Sequence, residues 1–332
     1  MSRELLIGIT GNAVVNTDKD TFDVDTRFRL AKESGFDYFD KTPPTGELEI
    51  YQRASEKHAL PIRCGGFYYT RNRDEDLLAW HMRMARELGT VLQNIQIKPK
   101  DADGKFLSDQ DIAEVYLYAY ELGQRFNIIP SFEVHINMWS EHFGRVSKVG
   151  EIVEKQGAKF NITLDHSHVI FKIDNPKEQE VLGMKEDVDA GRVILDPFKP
   201  GNVASEWIER NYVTHSHARP AIPANPVNIW AKHPDGSFGR GVQYPFIQPG
   251  EGEWHSSWSE ENLEPWKEVV RQLLRHHASN TKSCLGQISM EIIPAPDYGG
   301  GGKYSLLANN IACADWIRKE WASLQTTNTF TH

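Results

Sequence analysis

The strongest constraint on this sequence is an eightfold alternation of short β-branched or aromatic runs with longer segments of helical period. Repeated βα units around a parallel sheet give that pattern, because parallel strands must be joined by a crossover that is usually a helix. The eight strand-like runs fall near Leu5–Ile9, Tyr38–Asp40, Pro61–Phe67, Val91–Ile97, Ile129–Val134, Asn161–Asp165, Tyr212–His217 and Gln287–Glu291. Helix candidates between them are Thr26–Ser34, Leu48–His58, Asp74–Leu88, Asp109–Phe126, Lys148–Gln156, Glu260–His276 and Ser305–Trp321, several with apolar residues at three- and four-residue spacing. Asp76, Ser108, Ser147 and Ser259 stand near the expected starts, where a side-chain oxygen can cap free backbone N–H groups. No linker separates two halves, and 332 residues lie within the range of one barrel. The expected fold class is therefore α/β, a (β/α)8 TIM barrel spanning residues 1–332 as a single domain. An open doubly wound sheet would need a phosphate fingerprint, and Gly8-Ile9-Thr10-Gly11 is too weak a match.

Two long stretches break the rhythm: Val169–Arg210 after the sixth strand and Ala218–Trp258 after the seventh. Loops at that end of a barrel carry its chemistry. The second stretch mixes prolines and glycines with Trp230, Tyr244, Phe246 and Trp254. Loops this long without secondary structure are uncommon unless functional, so it reads as a lid or a partner-docking element, with a peripheral stabilising insertion as the alternative.

Composition narrows the partners. A formal net charge of -9 disfavours a polyanion, and no dense Lys/Arg cluster with interleaved aromatics offsets it, so no nucleic acid is expected. No apolar run approaches the roughly 18 residues of a membrane span. The N-terminal residues enter the first strand-like run without the apolar core of a signal peptide, which makes a cytoplasmic enzyme the expectation. Cys64, Cys284 and Cys313 are scattered and odd in number, and read as small buried apolar residues rather than a disulfide framework or zinc cage.

The last four predicted strands end in Ser131-Phe132-Glu133, Thr163-Leu164-Asp165, His215-Ser216-His217 and Ser289-Met290-Glu291. Each terminal residue is a metal-ligating type. Parallel strands deliver their C-terminal ends to one rim, so Glu133, Asp165, His217 and Glu291 can converge there. Several buried carboxylates are costly apart, and one cation satisfies them together; a salt-bridged strand end is the alternative for any one of them. Three carboxylates and an imidazole suit one divalent ion, manganese first, with magnesium, cobalt or zinc as alternatives. His215, two residues before His217, shares its face and lies deeper. His168 could touch a substrate oxygen from the loop after Asp165, and His135, two beyond Glu133, is a proton-transfer candidate.

The ordered set Glu133, Asp165 with His168, His217 and Glu291, together with Gln248-Pro249-Gly250-Glu251-Gly252-Glu253, resembles the xylose-isomerase-like superfamily of sugar-phosphate isomerases and epimerases. The resemblance implies that the four residues hold a divalent metal, that His168 touches substrate, and that Glu133 and Glu291 act as acid and base on opposite sugar faces. The sequence departs from the epimerase pattern where those enzymes carry a further glutamate six residues beyond the metal-binding one; here that position is Trp139. After His217 it reads Ala218-Arg219-Pro220 instead of the Lys-Asp of many relatives. His135 resembles instead the larger subunit of C-glycoside deglycosidases, where a histidine base and the metal drive elimination from a 3-keto sugar.

Among the other candidates, Trp139 is expected to stack on substrate, as Trp230, Tyr244, Phe246 and Trp254 could. Arg219, and with it Lys232 or Arg240, is expected to pair with an anionic substrate group. The run Gly299-Gly300-Gly301-Gly302-Lys303 could offer backbone N–H groups to a phosphate or hydroxyl. The expected function is removal of a proton beside the carbonyl of a carbohydrate or keto-sugar, giving isomerisation or epimerisation. Three alternatives remain: a deglycosidase subunit acting with a small partner, a non-catalytic accessory subunit, and an apurinic-endonuclease-like hydrolase. The last needs further ligands such as His168, His215, His233 and Asp235. A homo-oligomer or a complex with a small subunit is expected.

Overall fold

The computed structural model describes residues 4–329, with side chains to residue 325. Its centre is a closed parallel barrel of eight strands: β1 (Leu6–Thr10), β2 (Tyr38–Asp40), β3 (Ile62–Tyr69), β4 (Leu92–Ile97), β5 (Ile129–Val134), β6 (Ile162–Asp165), β7 (Val213–Ala218) and β10 (Gln287–Met290). Each pairs with its neighbours in chain order, and β10 closes on β1. The intervening β8 (Asn228–Lys232) and β9 (Phe238–Gly239) form a separate antiparallel hairpin in the loop after β7. The strand runs read from sequence are therefore found within one or two residues.

Helix Asp109–Phe126 illustrates why the helical segments form. Ser108 and Asp111 make a reciprocal capping box at its start, and Asn127 ends it in the left-handed conformation at φ 56°. Ile112, Ala113, Tyr116, Ala119, Leu122 and Gly123 form its buried stripe. Each large apolar side chain there contributes roughly 1.5–3 kcal/mol by burial. Tyr116 packs edge-on against Phe132 at 4.9 Å, joining helix to barrel. Of the other expected caps, Asp76 and Ser147 lie inside helices Glu75–Glu87 and Val146–Lys155, and Ser259 makes no side-chain capping bond.

Alternation along the strands sets the layout. Phe132, Val134 and Leu164 belong to the apolar core. Glu133, Thr163, Asp165, His215, His217 and Ser289, at the alternate positions, are all buried and polar. The register places Glu133 beside Thr163 and Thr163 beside His215, and, one step along, Asp165 beside His217 and His217 beside Ser289. The barrel interior thus becomes polar toward its C-terminal rim.

The Val169–Arg210 stretch is not structureless; it holds short helices at Pro176–Gln179, Lys185–Asp189 and Val203–Glu209. Cys64 and Cys313 are buried as expected, but Cys284 is only half-buried. No described helix is long and apolar enough to cross a membrane.

Candidate metal centre

At the C-terminal rim the side chains of Glu133, Asp165, His217 and Glu291 come together, each offering a ligand atom within 4.8 Å of the others. Glu133 is fixed by Asn94 Nδ2 and Gln96 Nε2, which both donate to Oε2 at 2.5 Å. His217 Nδ1 lies 2.9 Å from Glu133 Oε1 and 2.8 Å from Glu291 Oε2. Burial by itself would raise the Glu133 carboxyl, but the His217 charge outweighs it and holds that carboxyl down at about 2. Burial opposes the charge on His217 in turn, and Glu291 and Glu133 overcome it, so the imidazole sits well above its ordinary range.

The residue that orients His217 is Asp40, at the end of β2, whose Oδ2 lies 3.2 Å from His217 Nε2. Ser289 Oγ donates to the same oxygen at 2.7 Å. Beneath lies a polar layer in which Ser289 Oγ also meets Tyr38 Oη at 2.8 Å and His215 Nε2 at 2.9 Å. His215 is fully buried, and burial followed by the neighbouring His217 charge pushes it down to about 3. It is a neutral strut below His217, the deeper position expected of it.

On the loop side, His168 Nε2 and Arg219 Nη1 both approach Asp165 Oδ2, at 3.2 and 3.1 Å. Burial raises the Asp165 carboxyl, but Arg219 and then His168 hold it well below the ordinary carboxylate range. Arg219 Nη2 lies 2.8 Å from Glu291 Oε2, and its Nε donates to the Glu291 carbonyl at 3.0 Å. Asp165 Oδ2 and Glu291 Oε2 have these ion-pair contacts yet accept no hydrogen bond of ordinary geometry. Three carboxylates and one imidazole with their ligand atoms gathered this closely are a donor set that fits a divalent cation.

Arg219 does not stand ready for a substrate anion, as expected from sequence. It is 1% exposed, paired with Asp165 and Glu291, and stacked on Tyr298 with the guanidinium 3.9 Å from the ring centre. Tyr298 itself was not foreseen. Its hydroxyl lies 3.1 Å from His135 Nε2, and the His135 ring is 4.4 Å from His168. Burial pushes His168 down to about 4, so it is neutral at pH 7. His135, His168, Tyr298 and the four clustered residues therefore form one contiguous group of side chains.

Trp139 is not part of it. Glu133 faces the barrel interior, so its neighbour Phe132 faces the helices, and Trp139 packs on Phe132 at 5.9 Å with 1% exposure. The expected substrate contact is replaced by a place in the core. Two residues on, Glu141 is buried and pairs with Lys172 Nζ at 2.9 Å and with Arg240. Arg240 in turn holds Glu178, its Nε 3.1 Å from Oε2. This clasp ties together the loops after β5, β6 and β7, and it accounts for Arg240.

The remaining candidates lie apart. Lys232 covers the Phe238 ring on the hairpin, His233 pairs with Asp297 at 2.9 Å, and Asp235 accepts from Ser237. Among the described residues, neither His233 nor Asp235 joins a group able to hold a metal. Trp230 and Tyr244 pack edge-on against Trp254, and Phe246 against Trp266. The glycine run seats the hairpin: Gly301 has φ +70°, and a Cβ there would lie 2.5 Å from the Trp230 carbonyl oxygen. Asn228 Nδ2 donates to the Tyr298 carbonyl at 2.6 Å, so the hairpin steadies the loop that presents Tyr298. In the Pro-Gly-Glu-Gly segment, Gly250 N–H donates to Glu253 at 2.7 Å, closing an exposed turn.

Neither a protein-family model nor a curated protein matches the sequence. Solved structures do match the fold. The chain is similar to 3-keto-D-glucoside 4-epimerase from E. coli over 95% of its own length and 100% of that chain, with TM-score 0.53 and 13% identity. It is similar to D-psicose 3-epimerase from Clostridium cellulolyticum H10 over 95% and 99%, with TM-score 0.55 and 12% identity. A fusion of a xylose isomerase-like TIM barrel with 4-hydroxyphenylpyruvate dioxygenase matches over 98% of this chain and 45% of that one, with TM-score 0.53 and 12% identity. The closed parallel barrel and these likenesses give the chain the xylose-isomerase-like (β/α)8 TIM-barrel fold.

Proposed function

We propose that this chain is a divalent-metal-dependent enzyme of the sugar isomerase or epimerase type, removing a proton beside the carbonyl of a carbohydrate substrate. The observation that carries the reading is the convergence of Glu133, Asp165, His217 and Glu291 within 4.8 Å at the rim of the barrel. A cation held there, manganese by preference, would polarise sugar oxygens and stabilise the negative charge that follows loss of a proton.

The residues divide the work by exposure. The Glu133 side chain is fully buried and held by Asn94 and Gln96, which suits holding the cation. The Glu291 side chain keeps 14% exposure, so it is the carboxylate a substrate can reach and the better candidate to take the proton. His168, neutral and beside Asp165, can donate to or accept from a substrate hydroxyl. The likeness to structures named as sugar epimerases supports the same class. Glu291→Gln tests the assignment: turnover should fall by about 10²–10⁴-fold, the usual weight of a general base, with an unchanged circular dichroism spectrum. Unchanged turnover would remove Glu291 from this role.

A second reading rests on the contact between His135 and Tyr298. With His135 as base, the same group of residues would take the proton beside the ketone of a 3-keto glycoside and release the aglycone, as the larger partner of a two-subunit deglycosidase. Release of free aglycone, lost in His135→Asn, would favour it; an epimerised sugar as the sole product would favour the first reading.

A further inference from the structure

A cavity of about 670 Å³ opens at the opposite, N-terminal mouth of the barrel, where the strands begin. Arg63, Arg86 and Lys159 line it, and among the described residues no Asp or Glu does. In a chain of net charge -9 this is a local reversal of sign. None of the three cations forms a salt bridge among the described residues. Arg63 Nε donates to Gln287 Oε1 at 3.3 Å, and Lys159 Nζ touches Cys284 Sγ.

Two side chains of the cavity wall are unsatisfied. Asn161 and Gln287 are each 4% exposed, yet Asn161 Oδ1 and Gln287 Nε2 have no hydrogen-bond partner among the described residues. A buried acceptor and a buried donor left open cost free energy unless something meets them. Both atoms are shut off from solvent, so the part of the wall a ligand can reach is the three cations, which supply the counter-charge for a phosphate. The volume is that of a small-molecule site.

We propose that this cavity is a second binding site, separate from the metal centre, for a small phosphate-bearing ligand. Arg63, Arg86 and Lys159 bind the phosphate. The site lies on the barrel face away from the proposed chemistry, so its occupancy does not depend on that chemistry.

Cys284 provides the readout, because it lines the cavity and is half-buried, whereas Cys64 and Cys313 are fully buried. Its alkylation by N-ethylmaleimide is followed by intact-protein mass spectrometry with inorganic phosphate, glucose 6-phosphate, glucose, or sodium chloride at matched ionic strength. Either phosphate should slow labelling about tenfold at about ten times its Kd. Whichever protects at the lower concentration identifies free anion or ester as the better occupant. The protection should vanish in the Arg63→Gln/Arg86→Gln double variant, and also in Lys159→Gln should the double variant not fold. No slowing by either phosphate, equal slowing by glucose or chloride, or full protection in the variants would overturn the proposal.

Discussion

His217 is gripped from both sides: its Nε2 lies 3.2 Å from Asp40 Oδ2, while its Nδ1 faces Glu133 and Glu291 at 2.9 and 2.8 Å. A carboxylate on one ring nitrogen fixes the imidazole orientation and leaves the other nitrogen for a metal. Asp40→Asn should therefore weaken manganese binding by about 10–100-fold without removing any of the four ligands. Calorimetric titration of the metal-stripped protein measures this, and an unchanged affinity would make Asp40 a packing residue only.

Arg219 shares Asp165 and Glu291 with the proposed cation. Replacing it with Met leaves the buried Asp165 and the half-buried Glu291 short of a counter-charge, which typically costs about 3–5 kcal/mol. The Tm of Arg219→Met in chelator should drop accordingly, and added manganese should raise it by more than it raises the wild type. An equal response in both proteins would show that the guanidinium and the cation do not act on the same carboxylates.

The clasp has a pH signature. Burial by itself would raise the Glu141 carboxyl, but the hydrogen bond from Arg240 and the charge of Lys172 outweigh it and hold it at about 2, against 4.5 unfolded. A depressed carboxylate contributes stability that is fully present above about pH 4.5 and is lost as pH falls toward 2. Glu141→Gln should flatten that acid limb and cost about 3–5 kcal/mol near neutral pH, because the fully buried Lys172 ammonium loses its close carboxylate partner. Urea unfolding between pH 2 and 7 reads both effects.

Trp139→Ala separates the core from the metal centre. The loss of a buried indole should lower stability by about 3–5 kcal/mol while KM at saturating metal stays as in the wild type. A raised KM with unchanged stability would put the indole against substrate after all.

The strand pattern made the barrel readable because each parallel strand is a short apolar or β-branched run bounded by a helix. The four clustered residues were readable because each stands within one residue of the end of such a run. Asp40 closes the second strand in the same way, and the rule reaches it once all eight strand ends are compared, not only the last four. Arg219 and Tyr298 were beyond reach: one lies just past β7 and the other in the loop after β10, and only the folded loops stack them. Trp139 was misread because spacing from Glu133 does not tell which side of the barrel wall a loop residue takes. The clasp joins three loops far apart in sequence, so no local pattern announces Glu141, Lys172 and Arg240 as partners.

The central claim is metal-dependent removal of a proton beside a sugar carbonyl, and deuterium incorporation tests it most directly. The metal-stripped and manganese-loaded proteins are incubated in D2O with a panel of ketoses and 3-keto glycosides, and the recovered sugars are weighed by mass spectrometry. The account predicts one deuterium gained beside the carbonyl of at least one substrate, only with metal, and lost in Glu291→Gln. Exchange that persists after metal removal, or an absence of exchange across the whole panel with metal bound, would contradict it.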